Sequence, residues 1–238
     1  MPGIGTLVNG GAVVIGGIIG VFFKKGLKQR YQDTIMQGIA LSVIFIGISG
    51  SLEKMLVIKD SLLSTQGTMM IVVSLVIGCV FGEWLNLEAH IEHFGTWLKE
   101  KTGNANDTRF IQGFITASLT ICVGAMAVVG SLQDGLAHDP SMLFTKAVLD
   151  GVIIMLFASA FGMGAIFSVI PLLIFQGSIT AFAGVIQPFL TDSMIQNMSL
   201  IGNMLIFCIG VNLMFPIHVK VANMLPALVV VAIYSAFL

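Results

Sequence analysis

Apolar residues dominate eight stretches of the chain, roughly 3–23, 34–50, 67–84, 109–130, 140–161, 163–187, 199–216 and 221–238, with short polar breaks between them. Most approach the roughly 20 residues a helix needs to cross the hydrocarbon core. The pattern therefore predicts an all-α polytopic membrane protein with seven or eight transmembrane helices. Residues 151–191 carry no charge and are too long for one span. A turn is expected at "FGMG" (Phe161–Gly164), and Pro171 should kink or break the sixth segment. The seven-span alternative makes one of these two pieces re-entrant. The stretch Glu83–Lys101 has a different rhythm: Leu87, Ile91, Phe94 and Leu98 share one helical face, with Glu88, Glu92 and Lys99 off it. Flanked by Trp84 and Trp97, it predicts a helix lying in the cytoplasmic interface.

The pattern also repeats. "VIGGIIG" (Val14–Gly20) matches "VIGCVFG" (Val76–Gly82), and "DTIMQG" (Asp33–Gly38) returns as "DTRFIQG" (Asp107–Gly113). Residues 1–66 and 67–139 thus read as duplicated hairpin units, the second enlarged by the interfacial helix. A fainter copy, "DSMIQN" (Asp192–Asn197), lies in the second half, 140–238, and would start from the opposite face. "IFIG" (Ile44–Gly47), "ICVG" (Ile121–Gly124) and "FCIG" (Phe207–Gly210) correspond as well. Such a copy points to an inverted repeat, an architecture of secondary transporters, although similar words also recur by chance in Ile/Val/Gly-rich spans. In each copy Asp is expected to cap a helix and Gln to begin interhelical hydrogen bonding.

Composition agrees with the pattern. Of 238 residues, 56% are hydrophobic and 10% charged, with a mean hydropathy of +0.99. Soluble domains carry about 25% charged residues, so lipid must be the main solvent. The net charge of −1 leaves no basic surface for nucleic acid. Lys24, Lys25, Lys28 and Arg30 follow the first span, Lys99, Lys101 and Arg109 the third, and Lys220 the seventh, whereas "SLQDGLAHDP" after the fourth has no Lys or Arg. This bias puts both termini outside the cytoplasm. The outer loop with Lys54 and Lys59 dissents mildly, beside Glu53 and Asp60. Lysines follow the first run, which argues for a retained span over a cleaved signal peptide. Cys79, Cys122 and Cys208 lie far apart in apolar runs and suit neither a disulfide framework nor a zinc site.

One intramembrane constellation carries charge. In "DPSMLFTKAVLDGV" (Asp139–Val152), Asp139-Pro140 starts a helix that places Asp150 near mid-membrane, with Lys146 one turn away on the same face. Gly151 offers a place for the helix to unwind. Such a pair suits a solute or coupling-ion site; it also suits an ion pair that only locks spans together, with Lys146 snorkelling. Among uncharged polar residues, Asn9, Gln37, Gln112, Gln176, Asn203, Asn212 and Asn223 serve as interhelical glue or as ligand groups. Gln176, in "IFQGSIT", is the strongest of these, and Pro226 in "NMLPALV" frees a carbonyl in the last span. His90 and His93 flank Glu92, but a solvated helix face explains them better than a metal. No phosphate loop, HExxH or nucleophile elbow occurs, so neither an enzyme nor an ATP-driven pump is expected, and no cofactor.

"CVGAMAVVGSLQDGL" (Cys122–Leu136), "KAVLDG" (Lys146–Gly151), "IFQGSIT" (Ile174–Thr180), "NMLPALV" (Asn223–Val229) and the opening "GTLVNGGAVVIGGIIG" resemble the bacterial Domain of Unknown Function 554 family, the YdfK/YqgA type. The resemblance covers essentially the whole chain. It implies an integral protein of the bacterial inner membrane and draws attention to Gln133, Asp134, Lys146, Asp150, Gln176 and Pro226 as members of those motif words. It brings no substrate. The expectation is a secondary transporter or exchanger for a small anionic or zwitterionic solute, with a possible coupling ion. The alternatives are a passive channel and a non-transporting membrane scaffold. Gly-xxx-Gly faces on the first and third spans serve either a homodimer or packing within one protomer.

Overall fold

Without water in the bilayer core, the apolar runs must satisfy their own backbone groups, and helices do so within each segment. The computed structural model of the chain describes residues 2–26, 28–59, 61–105, 107–122 and 125–237. Its elements are α1 (Ile4–Gly26), α2 (Gln29–Met55), β1 (Leu56–Lys59), β2 (Leu62–Thr65), α3 (Thr68–Leu85), α4 (Leu87–Lys101), α5 (Phe110–Cys122), α6 (Ala125–Leu136) and α7 (Ser141–Phe161). A 3-10 stretch (Met163–Ser168) leads into α8 (Val169–Ala181), followed by α9 (Ala183–Ile186), α10 (Asp192–Met214), α11 (Val221–Met224) and α12 (Pro226–Ala236). Among the described residues six helical spans are long and apolar enough to cross a membrane, the 3-10 stretch and α8 together forming one of them. α5 and α6, bent by 60°, make a seventh if they form one broken span. The last apolar segment, Val221–Ala236, is shorter, and within it Pro226 opens α12 directly after α11.

Several boundaries differ from the hydropathy reading. The fourth segment does not run straight through 109–130: α5 and α6 are bent by 60° relative to each other, and α6 continues to Leu136. Most of "SLQDGLAHDP" (Ser131–Pro140) is therefore helix, not loop. The Val123–Gly124 part of the repeated "ICVG" word lies outside the described residues. Gly151 does not unwind α7; it sits mid-helix. The break predicted at "FGMG" falls at Gly162, whose φ of 90° few other residues adopt, and Pro171 sits in the first turn of α8 without breaking it. The outer loop folds as a hairpin, with Leu56 opposite Thr65 and Lys59 opposite Leu62. The Lys59 side chain and Asp60 lie outside the described residues.

The three Asp-led words meet their helices in three ways. Asp107 Oδ1 accepts from Arg109 N at 3.0 Å, a turn that leads into α5 without capping it. For α10 the cap is Thr191, whose Oγ1 accepts from Met194 N at 3.1 Å, and Asp192 sits in the first turn. Asp33 lies inside α2, which already begins at Gln29.

Contacts divide the chain into two units. The first holds α1, α2 up to Ile39, α4 from Ile91, α5, α6 from Met126, and α7 to α9. The second holds the rest of α2, the hairpin, α3, the start of α4, and α10 to α12. In the first unit, Leu98 packs on Phe110 and Phe114, seating the amphipathic α4 on α5. In the second, Met70 and Ile71 pack on Leu200, Ile201, Ala227 and Val231.

The repeated glycines explain the tightest packing. A Cβ at Gly16 or Gly20 would overlap the carbonyls of Gly151 and Met155 on α7. At the matching Gly78 and Gly82 it would overlap Ala227 and Asn223. Both Gly-xxx-Gly faces are thus used within the chain. Partner numbers rise together for α1 and α7 and oppositely for α3 and the last segment, so the first pair is parallel and the second antiparallel. That is the parity expected if the bent α5–α6 pair counts as one crossing.

Candidate functional site

The i, i+4 spacing on α7 brings Lys146 and Asp150 together. Lys146 Nζ lies 2.8 Å from Asp150 Oδ1 and 2.7 Å from Oδ2, with both residues buried. Its third bond, 2.9 Å, goes to the carbonyl of Ile121 in the last turn of α5. An ammonium has three donors, and all three are used. Lys146 does not snorkel.

Asp150 is also held by α1. Asn9 Nδ2 donates to Asp150 Oδ2 at 2.9 Å and to Gln176 Oε1 on α8 at 3.3 Å. That orientation fixes both amides: Asn9 presents Oδ1, and Gln176 presents Nε2, with no partner for either among the described residues. α6 closes the arrangement. Asp134 Oδ2 accepts from Gly5 N at 3.1 Å, taking an unpaired N–H in the first turn of α1. Thr180 Oγ1 on α8 donates to the Ser131 carbonyl at 3.2 Å. Hydrogen bonds thus link α1 to α8, α8 to α6 and α6 to α1. Asn9, Ser131, Asp134 and Gln176 are each 0% exposed, so this polar ring is shut away from both lipid and solvent.

Of the residues singled out from sequence, the structure joins Lys146, Asp150 and Gln176 in the first unit. It adds Asp134, noted above only as part of a motif word, and Asn9, noted only as one polar residue among several. Gly151 contributes close packing instead of backbone ligands. Asn203 and Asn212 belong to the second unit. Asn203 packs against Gly50 and donates to Ser199 Oγ at 3.5 Å. Asn212 clamps the loop after α10, with Nδ2 to Val219 O at 2.7 Å and Val219 N to its Oδ1 at 2.8 Å. The backbone carbonyl of Gln133 accepts from Ala137 N and Asp139 N, closing α6.

Two charged knots lie at helix ends. Asp139 Oδ1 accepts from Ser141 N and Oγ at 3.0 and 2.6 Å, and these bonds hold its carboxyl below the usual range. Lys220 donates to Glu83 Oε1 at 2.6 Å, which raises its pKa. Asn223 donates to Glu83 Oε2 at 2.7 Å and accepts from Glu88 N at 2.8 Å, while His218 pairs with Glu88.

Comparison with known proteins places the chain. Residues 4–236 match the family described as Protein of unknown function (DUF554). The chain is 31% identical over 226 residues to the "Uncharacterized membrane protein YdfK" of Bacillus subtilis (strain 168), covering 95% of this chain and 93% of that protein. It is 29% identical over 244 residues to the "Uncharacterized protein YqgA" of Escherichia coli (strain K12), covering 98% and 96%. No solved structure matches. The chain belongs to the Domain of Unknown Function 554 family and is a multi-pass helical membrane protein.

Proposed function

We propose that this Domain of Unknown Function 554 protein is a secondary transporter or exchanger for a small anionic or zwitterionic solute. The observation that carries the reading is the buried Lys146–Asp150 pair, bonded through Asn9 to Gln176 beside the broken α5–α6 helix. Burying charge in a membrane helix is costly, and where it is retained it usually marks a pathway. Gln176 Nε2 is a buried donor without a partner among the described residues, a match for a solute carboxylate. In this state Lys146 is saturated by protein, so a transport cycle must exchange at least one of its bonds for the solute. The repeated "DSMIQN" start of α10 belongs to this reading as an inverted copy, and so do a bacterial inner-membrane location and termini outside the cytoplasm.

The test is a thermal-shift screen of the purified chain against amino acids, carboxylates and inorganic anions. Ligand at 100 times its dissociation constant adds about 2.7 kcal/mol of native stability. A class of solute should stabilise the wild type and lose that effect in Gln176→Ala and Asp150→Asn. A stabilising solute that ignores both substitutions would overturn the assignment of the site.

A further inference from the structure

Hydroxyls in membrane helices normally bond back to a carbonyl of their own helix. This chain follows the rule at Ser118 to Phe114 O, Thr120 to Thr116 O, Ser159 to Leu156 O and Ser168 to Ala165 O. Thr6 and Ser131 break it. Both are buried, and neither hydroxyl has a partner among the described residues. One turn along α1 from Thr6 stands the unpaired Asn9 Oδ1, and one turn along α6 from Ser131 stands the unpaired Asp134 Oδ1. The Gly5 N–H to Asp134 bond fixes α1 and α6 side by side at this level.

Four buried oxygens without partners therefore belong to two helices bonded to each other. Leaving them bare would cost on the order of 1–3 kcal/mol each. The charge is also unbalanced. Asp150 has Lys146 as its counterion, whereas among the described residues Asp134 has only a neutral N–H. One carboxylate oxygen, two hydroxyls and an amide carbonyl are hard, oxygen-only ligands with a single formal negative charge. No group of three His, Cys, Asp or Glu side chains occurs among the described residues, which speaks against a transition-metal or multivalent site.

We propose that Asp134, Ser131, Thr6 and Asn9 form a binding site for a monovalent alkali-metal cation between α1 and α6. The cation neutralises Asp134 and satisfies the hydroxyls. Asn9 joins this site to Asp150 and Gln176, because its Oδ1 faces the cation while its Nδ2 holds the other two. Cation binding and solute binding then share one side chain. Binding itself stands on this geometry alone; its role as the coupling ion rests on the transport reading above.

The experiment uses the full-length protein in detergent, with NaCl, KCl and choline chloride compared at equal ionic strength. Unfolding temperature and equilibrium binding of radioactive sodium are both read. Stabilisation by NaCl or KCl over choline is expected, with the midpoint cation concentration raised about tenfold in Ser131→Ala and in Thr6→Val. Ser74→Ala, which removes an unpaired hydroxyl from the second unit, should leave the response unchanged. Asp134→Asn should abolish it; if that variant does not fold, the two hydroxyl variants decide. Equal stability in all three salts would overturn the proposal, and so would an alkali response undiminished in both hydroxyl variants. Stabilisation by acid alone would assign Asp134 a proton and overturn it as well. Alkali binding without solute flux would keep the site and reject the transporter; flux indifferent to the cation, with no cation bound, would do the reverse.

Discussion

Lys146 and Asp150 show what each residue costs and returns. Removing the ammonium alone strands a buried carboxylate, so Lys146→Ala should destabilise the protein by about 3–5 kcal/mol. The double variant Lys146→Met with Asp150→Leu should cost less than that single change, because both charges leave together. Denaturation in detergent of the two variants checks the order. Asp139 is a gentler case. Its carboxyl is depressed by the Ser141 bonds, so its contribution is present above the unfolded-state pKa of about 4 and is lost as pH falls through the lower folded value. Wild type should therefore lose more stability than Asp139→Asn in acid titration; the opposite order would deny the cap a role. The pair was legible in the sequence because i, i+4 spacing is local. The bonds from Asn9 to Asp150 and from Gly5 to Asp134 were not, since they join residues far apart in the chain and nothing in the spacing marks them.

At the scale of elements, close approach is what the repeated glycines provide. Gly16→Ala and Gly82→Ala place a methyl group against backbone of a neighbouring helix and should each cost about 1–3 kcal/mol. Gly11→Ala meets no atom within 4 Å and should be neutral or stabilising by up to about 1 kcal/mol. Thermal unfolding of the three variants separates the cases. Duplication was readable because the same words recur; which helices the glycines meet was not, because their partners lie near residues 151–155 and 223–227. The bend between α5 and α6 was hidden for a related reason: an apolar run reads as continuous helix, and nothing in its spacing marks a change of direction.

For the whole molecule, composition settles the solvent and folding settles the rest. A chain with 10% charge and long apolar runs belongs in lipid, and its exposed side chains, such as Val80, Val148 and Ile174, are the apolar surface that lipid requires. The buried Lys146–Asp150 pair and its polar ring lie in the first unit, although the duplicated words occur in both. α3 matches α1 in its glycines but has Ile71 where α1 has Asn9, so the duplicated scaffold carries the buried ring only once.

The decisive measurement is transient current in proteoliposomes on a solid-supported membrane, with amino acids and carboxylates applied in turn to wild type, Asp150→Asn and Asn9→Ala. A saturable current for one class of solute, absent from both variants, is the predicted result. Silence for every solute, or currents undiminished in both variants, would contradict the claim that this buried ring is a transport site.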